Sequence, residues 1–414
     1  MNWLRLLGFF TRSRADDPPQ PPSPAPPPEP APPTAVCLWE ELIDHQSRIA
    51  GYRCTVEHVE GGPPPDAGTR FRLLAEEAAA RVWKKRLALF PITASDWLQH
   101  DYRRLIAPGI VFLLEPPAPG VSHDAWHEAA PADDALRALA DWLILDFRAH
   151  ALEDLQRTVT AIRSRHPDLG LIADHVPGWP AHRFCVSLGI RHSLGHFASE
   201  SDAEDGDERL GKRRAVLLEL IRLLREEADP AQLAEVCKQD PAIVLRMLTM
   251  ANSPSFNQGT TVTRFEQAIL VLGRSELLRW LTIATFELGD TPSDLTLLEL
   301  AMRRARFMEL LGGPRLPEAR GDELFLTGLL SLMDVLLARP IAEIIAPMRP
   351  SPAIADALTS GTGPCAPYLR LAVALEKMQM DTVRRLAGPL GIELRELSLA
   401  AIQARRWTLE ALTE

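Results

Sequence analysis

The spacing of apolar residues along this chain of 414 residues changes near residue 200, and the change limits the folds that the chain can adopt. Before residue 200, short apolar runs alternate with segments whose apolar residues recur at helical spacing. From Lys212 onward every strong pattern is helical. Since alternating strands and helices favour βαβ units and a parallel sheet, we predict an α/β domain followed by an all-α domain.

Short runs rich in branched apolar residues mark the strands of the first domain, and amphipathic segments mark its helices. The predicted strands are residues 86–93, 109–114, 141–146 and 169–173. The predicted helices between them are residues 69–85, 132–140 and 152–165. In a barrel built from such units, chemistry takes place at the C-terminal ends of the strands. Polar residues that follow these runs are therefore the first candidates for a site.

The N-terminal 35 residues fit neither domain. Residues 1–14 (MNWLRLLGFFTRSR) mix bulky apolar residues with arginines, but the apolar stretch is too short and too interrupted for a secretory signal. This leader fits an amphipathic helix that contacts a membrane surface or docks on a partner protein, or a terminus without a role. Residues 15–35 are rich in proline, which predicts an extended, semi-rigid linker.

Composition narrows the classes of function. The net charge of −10 argues against nucleic acid as a partner, since phosphate contacts need a basic face. The five cysteines lie far apart without a C-x-x-C pair, which is typical of reduced thiols in an intracellular protein. No apolar run approaches the roughly 18 residues of a membrane span. The predicted location is the cytoplasm, peripheral to the inner membrane if the leader binds its surface.

An acidic, glycine-containing segment at 198–211 marks the boundary between the α/β domain at 36–200 and the helical domain at 201–414. Beyond the first few helices, further helices are predicted at 295–311, 323–337, 340–345, 353–358, 368–379, 381–386 and 394–412. The arginines of the first of these, Arg303, Arg304 and Arg306, are interpreted as a solvated helix face.

Two buried helical runs dominate the start of the helical domain. The first, residues 240–253, opens with an Asp-Pro helix start and ends with an Asn-Ser pair. The second, residues 265–273, ends at a glycine and is followed by an Arg-Trp-Leu run at 279–281. These motifs in this order resemble the HDOD family, the helical output domains of bacterial signalling proteins. The resemblance implies an all-helical domain that acts through contacts with other proteins.

The order of motifs in the α/β domain resembles that of EAL domains, the family of cyclic di-GMP phosphodiesterases. Residues 43–52 are similar to the opening strand pair of that family, and later strand-end motifs fall at 143–146, 172–176 and 188–197. The domain is shorter than the roughly 250 residues of a typical barrel, so an incomplete barrel is expected. The two domains together resemble bacterial EAL–HDOD signalling proteins.

Several motif positions of the EAL family hold residues that do not bind a metal. The resemblance implies a glutamate ligand where this chain has Arg53, and a guanidinium cannot ligate a cation. Asp146 fits its position and Asp174 replaces a glutamate. Ile144, Pro177 and Leu194 stand where the family has polar residues. Since two-metal hydrolysis needs several oxygen ligands, the sequence predicts a degenerate domain that does not hydrolyse cyclic di-GMP.

The helical domain cannot build the metal site of the HD phosphohydrolases, whose fold HDOD domains resemble, because no histidine follows His196. The pairs His123/His127 and His192/His196 have i,i+4 spacing, but they lie beside loops and no zinc-site glutamate accompanies the first pair. We therefore predict that the chain is not an enzyme and that it has no catalytic residues, bound metal or cofactor.

Four residues of the helical domain are candidates for contact with a partner: Asn252, Ser253, Arg279 and Trp280. The first two end a helix, where such residues also act as caps, and Trp and Arg are favoured at interfaces, although Trp280 also fits a core. The predicted function is a non-catalytic signalling or scaffold protein that contacts other signalling proteins. The alternatives are a receptor for cyclic di-GMP or another nucleotide without hydrolysis, and a phosphodiesterase.

Overall fold

The structure is a computed structural model that describes residues 35–413 with internal gaps. The gaps are residues 59–64, 80–85, 94–95, 97–98, 106–108, 115–141, 166, 168, 201–211, 238–240, 254–261, 263–264, 288–291, 318–319, 347 and 349. The predicted leader, nearly all of the proline-rich linker, the helix predicted at 132–140 and the pair His123/His127 lie outside the described residues.

Among the described residues, seven strands form one sheet in the first domain, in the order β4-β3-β2-β1-β7-β6-β5. They are β1 (Ala35–Asp44), β2 (Ile49–His58), β3 (Leu87–Ile92), β4 (Ile110–Leu114), β5 (Trp142–Asp146), β6 (Gly170–Asp174) and β7 (His192–Leu194). Strand β1 is antiparallel to its neighbours β2 and β7, and the other pairs are parallel. The sheet curves into a nearly closed barrel, which confirms the predicted incomplete barrel.

Helices lie between several of these strands, as the alternating pattern predicts. They are α1 (Ala67–Ala79), α2 (Leu152–Arg165) and α3 (Trp179–Ser187). All four predicted strands are present, within one residue at each end. Strand β7 and helix α3 were not predicted, because a strand of three residues shows no alternation and α3 begins with a Trp-Pro pair that breaks the helical pattern.

Among the described residues, an apolar layer lies inside the barrel, and five strands each contribute one buried residue to it: Leu42, Leu89, Leu113, Ile172 and Leu194. At the N-terminal end of β3 the backbone of Leu87 lies directly against Gly51 of β2. A Cβ atom on Gly51 would be 2.1 Å from the carbonyl oxygen of Leu87. The absence of a side chain at this position therefore lets β3 pair with β2.

We expect Gly51→Ala to lower the free energy of unfolding by about 1–3 kcal/mol, because the added methyl group must push two paired strands apart. Urea denaturation of the full chain, followed by circular dichroism, measures the change. Gly321→Ala is the matched control. Its Cβ would have no atom within 4 Å, so this change should be neutral or slightly stabilising. Equal stability of the two variants would contradict the prediction.

The second domain is helical throughout its described residues, as predicted. Its helices are α4 (Lys212–Arg225), α5 (Pro230–Cys237), α6 (Pro241–Ala251), α7 (Phe265–Glu287), α8 (Pro292–Gly312), α9 (Arg320–Leu330), α10 (Met333–Leu337), α11 (Ile341–Ile345), α12 (Pro352–Thr359), α13 (Ala366–Glu376), α14 (Met380–Ala387) and α15 (Leu394–Thr413). Helix α7 is broken at Gly273, whose φ of 74° is left-handed. The predicted helix end at this glycine is therefore a kink between two helical segments.

Helix α8 connects the two domains. It packs against α9 and α15 within the helical domain, and α15 also contacts β1. Side chains of α8 reach residues of β1 and β2 directly. Among the residues that the structure describes, no helix combines the length and the apolar character that crossing a membrane requires.

Candidate functional site

Charged side chains at one end of the barrel form a group that we call the barrel-mouth cluster. Its members are Glu40, Arg53, Asp146, Asp174, His175 and His196. Asp146 and Asp174 end the parallel strands β5 and β6, whereas Glu40 and Arg53 lie within the antiparallel pair of β1 and β2. Glu40 pairs with Arg53 across β1 and β2, and Asp146 pairs with Asp174 across β5 and β6. Since side chains alternate along a strand, Glu40 and Asp174 lie on the same face as Leu42 and Ile172 of the apolar layer. The cluster therefore lies at the end of the barrel where the fold supports chemistry.

Arg53 joins two carboxylates across the barrel mouth. Its Nη2 donates to Glu40 Oε2 at 2.5 Å, its Nε donates to the same oxygen at 2.9 Å, and its Nη1 donates to Asp174 Oδ2 at 2.5 Å. All three side chains are largely buried. Burial alone lowers the pKa of Arg53, but Glu40 and Asp174 outweigh it and raise this pKa above its ordinary value. A permanent cation thus bridges the two carboxylates and offsets part of their negative charge.

Asp146 lies at the more open side of the mouth. It caps a short 3₁₀ turn by accepting a hydrogen bond from the backbone N–H of Arg148 at 2.9 Å, and it pairs with the Arg148 guanidinium at 3.2 Å. Burial raises the pKa of Asp146, but the hydrogen bonds from Arg148 outweigh this and lower it overall. His175 Nδ1 lies 3.4 Å from Asp146 and 3.6 Å from Asp174. His175 therefore lies close to both carboxylates at this side of the mouth.

The two predicted histidine positions in the described part of the barrel do not form a pair. The ring of His192 packs edge-on against Trp142, with centroids 5.0 Å apart. His196 Nε2 lies instead 3.9 Å from Glu40 Oε1, at the barrel mouth. Within the described ranges, no group of three or more His, Cys, Asp or Glu side chains is arranged to hold a metal ion. The absence of a bound metal stays a prediction.

Asn252 closes the loop between α6 and α7. Its Nδ2 donates to the carbonyl oxygens of Leu248 at 2.8 Å and Val262 at 2.6 Å, and its Oδ1 accepts from the N–H of Val262 at 2.7 Å. Ser253 is 3% exposed, and its hydroxyl has no hydrogen-bond partner among the described residues. The Asn-Ser pair therefore ends α6 and holds the start of the following segment in place.

Arg279 and Trp280 are both buried in the helical domain. The Arg279 guanidinium pairs with Asp322 of α9, lies 3.5 Å from Glu309 of α8 and stacks 4.5 Å above the ring of Phe325. It thus holds α7, α8 and α9 together. Contact of a partner protein with Asn252, Ser253, Arg279 or Trp280 stays a prediction, and in this structure only Asn252 is exposed.

The interpretation of Arg303, Arg304 and Arg306 as a solvated face is wrong for the first two, which are 8% and 4% exposed. Arg303 pairs with Glu41 of β1, and Arg304 pairs with Glu376 of α13. The sequence of one helix does not distinguish a solvated arginine from a buried one, because the carboxylate that pairs with a buried arginine lies on a distant segment. A signal existed in Glu41, an acidic residue among the apolar residues of β1.

The Arg303–Glu41 pair belongs to a buried polar interface between the domains, which was not predicted from the sequence. Tyr52 of β2 donates its hydroxyl to Glu299 of α8, and Arg86 pairs with the same carboxylate at 2.7 Å. Burial and the negative charge of Glu299 raise the pKa of Tyr52, so its hydroxyl remains a donor. Burial raises the pKa of Glu41, but Arg303 outweighs it and lowers that pKa overall.

Comparison with known proteins identifies the helical domain. The family model of the HDOD domain matches residues 211–343, so the chain carries an HDOD domain and the predicted resemblance is confirmed for this region. The match begins just before α4 and ends within α11. Helices α12 to α15 follow the matched range and complete the contact with the barrel.

Two curated relatives each match part of the chain. The cyclic di-GMP phosphodiesterase CdgJ of Vibrio cholerae is 25% identical over 194 residues, which is 47% of this chain and 45% of the relative. The uncharacterized protein YuxH of Bacillus subtilis is 25% identical over 240 residues, which is 57% of this chain and 58% of the relative. The chain thus spans about half the length of the curated relatives that it matches.

Among solved structures, the EAL enzyme Bd1971, with bound cAMP and cyclic di-GMP, is similar over 39% of this chain and 61% of its own, at 11% identity and a TM-score of 0.30. A TM-score this low supports no inference about function. The name of CdgJ, in contrast, contradicts the prediction that the chain is not an enzyme, and that prediction is wrong. It rested on residue types at motif positions of the barrel and on the lack of a histidine after His196, which do not outweigh this similarity.

Proposed function

We propose that this chain is a signalling protein of the cyclic di-GMP system, in which the barrel and the HDOD domain work as one coupled unit that contacts other signalling proteins. The observation that carries this proposal is the buried polar interface between β1–β2 and α8. Its hydrogen bonds and ion pairs are directional and buried, so a shift of the β1–β2 hairpin must move α8 or break them.

The barrel mouth and the interface share the same two strands. Glu40 and Arg53 face the mouth, while their neighbours Glu41 and Tyr52 reach the helical domain. A ligand that displaces Arg53 from its carboxylates would therefore act on the residues next to those that contact α8. The relative CdgJ is named for cyclic di-GMP, and this name supports that nucleotide as the ligand.

Hydrogen-exchange mass spectrometry of the full chain with and without cyclic di-GMP tests the proposal. We expect slower exchange at the barrel mouth and also in α8 and α15, because coupling transmits the stabilisation. Protection confined to the barrel would contradict the coupling. No protection anywhere, together with no heat in a calorimetric titration, would contradict cyclic di-GMP as the ligand.

A second candidate function is hydrolysis of cyclic di-GMP, which the name of CdgJ supports. Among the described residues, the carboxylates Asp146 and Asp174, with His175 close to both, are groups that could serve it. A turnover assay with Mg²⁺ or Mn²⁺ tests this function, with Asp146→Asn as the variant expected to lose it. No turnover in the unaltered chain would contradict hydrolysis.

Leu270 and Val271 support contact with a partner protein on the HDOD domain. They lie on the first segment of α7 and are 78% and 38% exposed. Exposure of two consecutive large apolar side chains is unusual and is typical of a contact surface. We expect Leu270→Glu to reduce recovery of the partner in a pull-down several-fold, since a charge in an interface core is costly. Leu399→Glu, on the 49% exposed Leu399 of α15, is the control. Equal recovery with both variants would count against this surface.

Membrane-surface contact by residues 1–14 is a further part of the proposal that rests on the sequence alone. The basic and apolar residues of this leader would add a weak anchor to the coupled unit. Cell fractionation measures this contact as the share of protein in the membrane fraction, for the full chain and for a variant that lacks residues 1–14.

A further inference from the structure

The first segment of α7, residues 265–273, carries apolar side chains on its outer face as well as on its inner face. Ile269 and Leu272 are buried in the helical domain, whereas Leu270 and Val271 are 78% and 38% exposed. A helix that is apolar all round is normally covered on all sides. The outer face of this segment therefore has the character of a docking surface.

The C-terminal end of α4 adds acidic side chains beside this surface. Arg274, which follows the segment directly, donates to the carbonyl oxygens of Leu224 at 3.1 Å and Ala228 at 2.9 Å. These hydrogen bonds hold the end of α4 against α7. Glu227 and Asp229 flank Ala228 and are exposed, and neither carboxylate forms an ion pair with the residues that the structure describes. The surface therefore has an apolar part and a negative part.

The sequence of the N-terminal leader matches this combination. Its apolar residues Trp3, Leu6, Leu7 and Phe10 have the i, i+3, i+4 and i+7 spacing that places side chains on one face of a helix. Arg14 follows four residues later on the same face. A helix of this length extends over about 21 Å. One face of such a helix would therefore present an apolar stripe that ends in a positive charge.

The tether between the leader and the barrel is long enough for docking within one chain. The proline-rich residues 15–35 span about 65 Å as polyproline II, at about 3.1 Å per residue. A compact chain of this size has a radius of gyration of about 22 Å. Helix α7 is therefore within reach of a leader whose tether ends at the start of β1. The tether also gives the leader a high local concentration near α7, so that a weak contact is sufficient.

We propose that residues 1–14 dock as a helix on the outer face of α7 in the same chain. The apolar stripe of the leader would cover Leu270 and Val271, and Arg14 would pair with the carboxylates at the end of α4. This inference rests on the proposed function in one respect, because the covered surface is the one assigned to a partner protein. The docked leader keeps that surface closed to the partner, and it cannot lie on a membrane at the same time.

Limited trypsin digestion of the full chain tests the proposal, with the release of peptides from residues 1–14 measured by mass spectrometry. The rate of cleavage follows the population of undocked leader when docking is fast. We expect Leu270→Glu to speed cleavage after Arg5 and Arg12 at least about threefold, because a charge then faces the apolar stripe. Leu399→Glu on α15, where the replaced leucine is 49% exposed, is the matched control and should leave the rate unchanged.

Two further variants locate the docked leader. Glu227→Lys should also speed cleavage at low salt, since it replaces an attraction for Arg14 with a repulsion. Deletion of residues 1–14 should speed hydrogen exchange in residues 265–273 and leave α12 unchanged. An effect of Leu270→Glu without an effect of Glu227→Lys would overturn the stated orientation of the leader.

The docking itself is overturned if Leu270→Glu leaves the cleavage rate unchanged, if both leucine variants speed it equally, or if the deletion does not alter exchange in α7. Protection that increases with protein concentration would place the leader on a second copy and would overturn docking within one chain. These measurements need neither a partner nor cyclic di-GMP, so a failure of the proposed function leaves them unaffected. When a partner is recovered by pull-down, deletion of residues 1–14 should raise its recovery several-fold, and unchanged recovery would overturn the closure of the surface.

Discussion

Replacing Arg303 with methionine is expected to lower the free energy of unfolding by about 3–5 kcal/mol, because it leaves the buried carboxylate of Glu41 without its cation. Glu41 is 4% exposed, so water cannot replace the lost partner. Urea denaturation of the full chain measures the effect. Arg406→Met on α15 is the control, since its pair with Glu410 is largely exposed and contributes about 0.5 kcal/mol or less.

A double variant separates the pair from the cost of an isolated charge. Arg303→Met with Glu41→Leu removes both charges, so its loss of stability should be smaller than the sum of the two single losses. If Arg303→Met and the double variant lose equal stability, the isolated charge of Glu41 is not the cause of the loss in Arg303→Met. If Arg303→Met costs less than about 1 kcal/mol, the pair does not hold the domains together.

The effect of Arg303→Met should also depend on pH. In the unaltered chain the folded pKa of Glu41 lies below its unfolded value, so its stabilisation is present above the unfolded pKa and is lost as pH falls through the folded pKa. In the variant, burial without a cation raises the folded pKa, and protonation relieves the isolated charge. The difference in stability between the two proteins should therefore shrink as pH falls from 7 to 4.

Local patterns of sequence were sufficient for much of the fold. Some features depend only on residues that are close together in the sequence. They are the four predicted strands, the Asp-Pro helix start before α6 and the kink at Gly273. The interface between the domains depends instead on distant residues. Tyr52 and Glu299 are 247 residues apart, and no local feature distinguishes Glu299 from an exposed glutamate.

The candidate site was predictable to a similar degree. The end of a strand pointed to Asp146 and Asp174, and the motif comparison pointed to Arg53. What could not be predicted is that Arg53 bonds Glu40 and Asp174 together, since Glu40 lies mid-strand and carries no motif. Residue types at motif positions also led to the incorrect conclusion about catalysis, because a list of replacements does not describe the groups that remain.

Arg53 offers the sharpest test of what the barrel mouth can bind. Its guanidinium occupies the space between Glu40 and Asp174, where a divalent cation would otherwise neutralise the same carboxylates. Arg53→Glu should therefore lower the free energy of unfolding by about 3–5 kcal/mol in a chelator, because buried carboxylates then repel one another without a cation. Urea denaturation in the presence of EDTA measures this loss.

Divalent metal should reverse much of that loss in Arg53→Glu. A site that binds Mn²⁺ stabilises the folded state by about 2.7 kcal/mol when the metal is at 100 times its dissociation constant. We expect Mn²⁺ to raise the melting temperature of Arg53→Glu far more than that of Arg53→Lys, which keeps a cation between the carboxylates. Nonspecific effects of Mn²⁺ act equally on both variants. An equal rise in melting temperature would therefore show that the barrel mouth does not bind the metal and that Arg53 does not occupy a metal position.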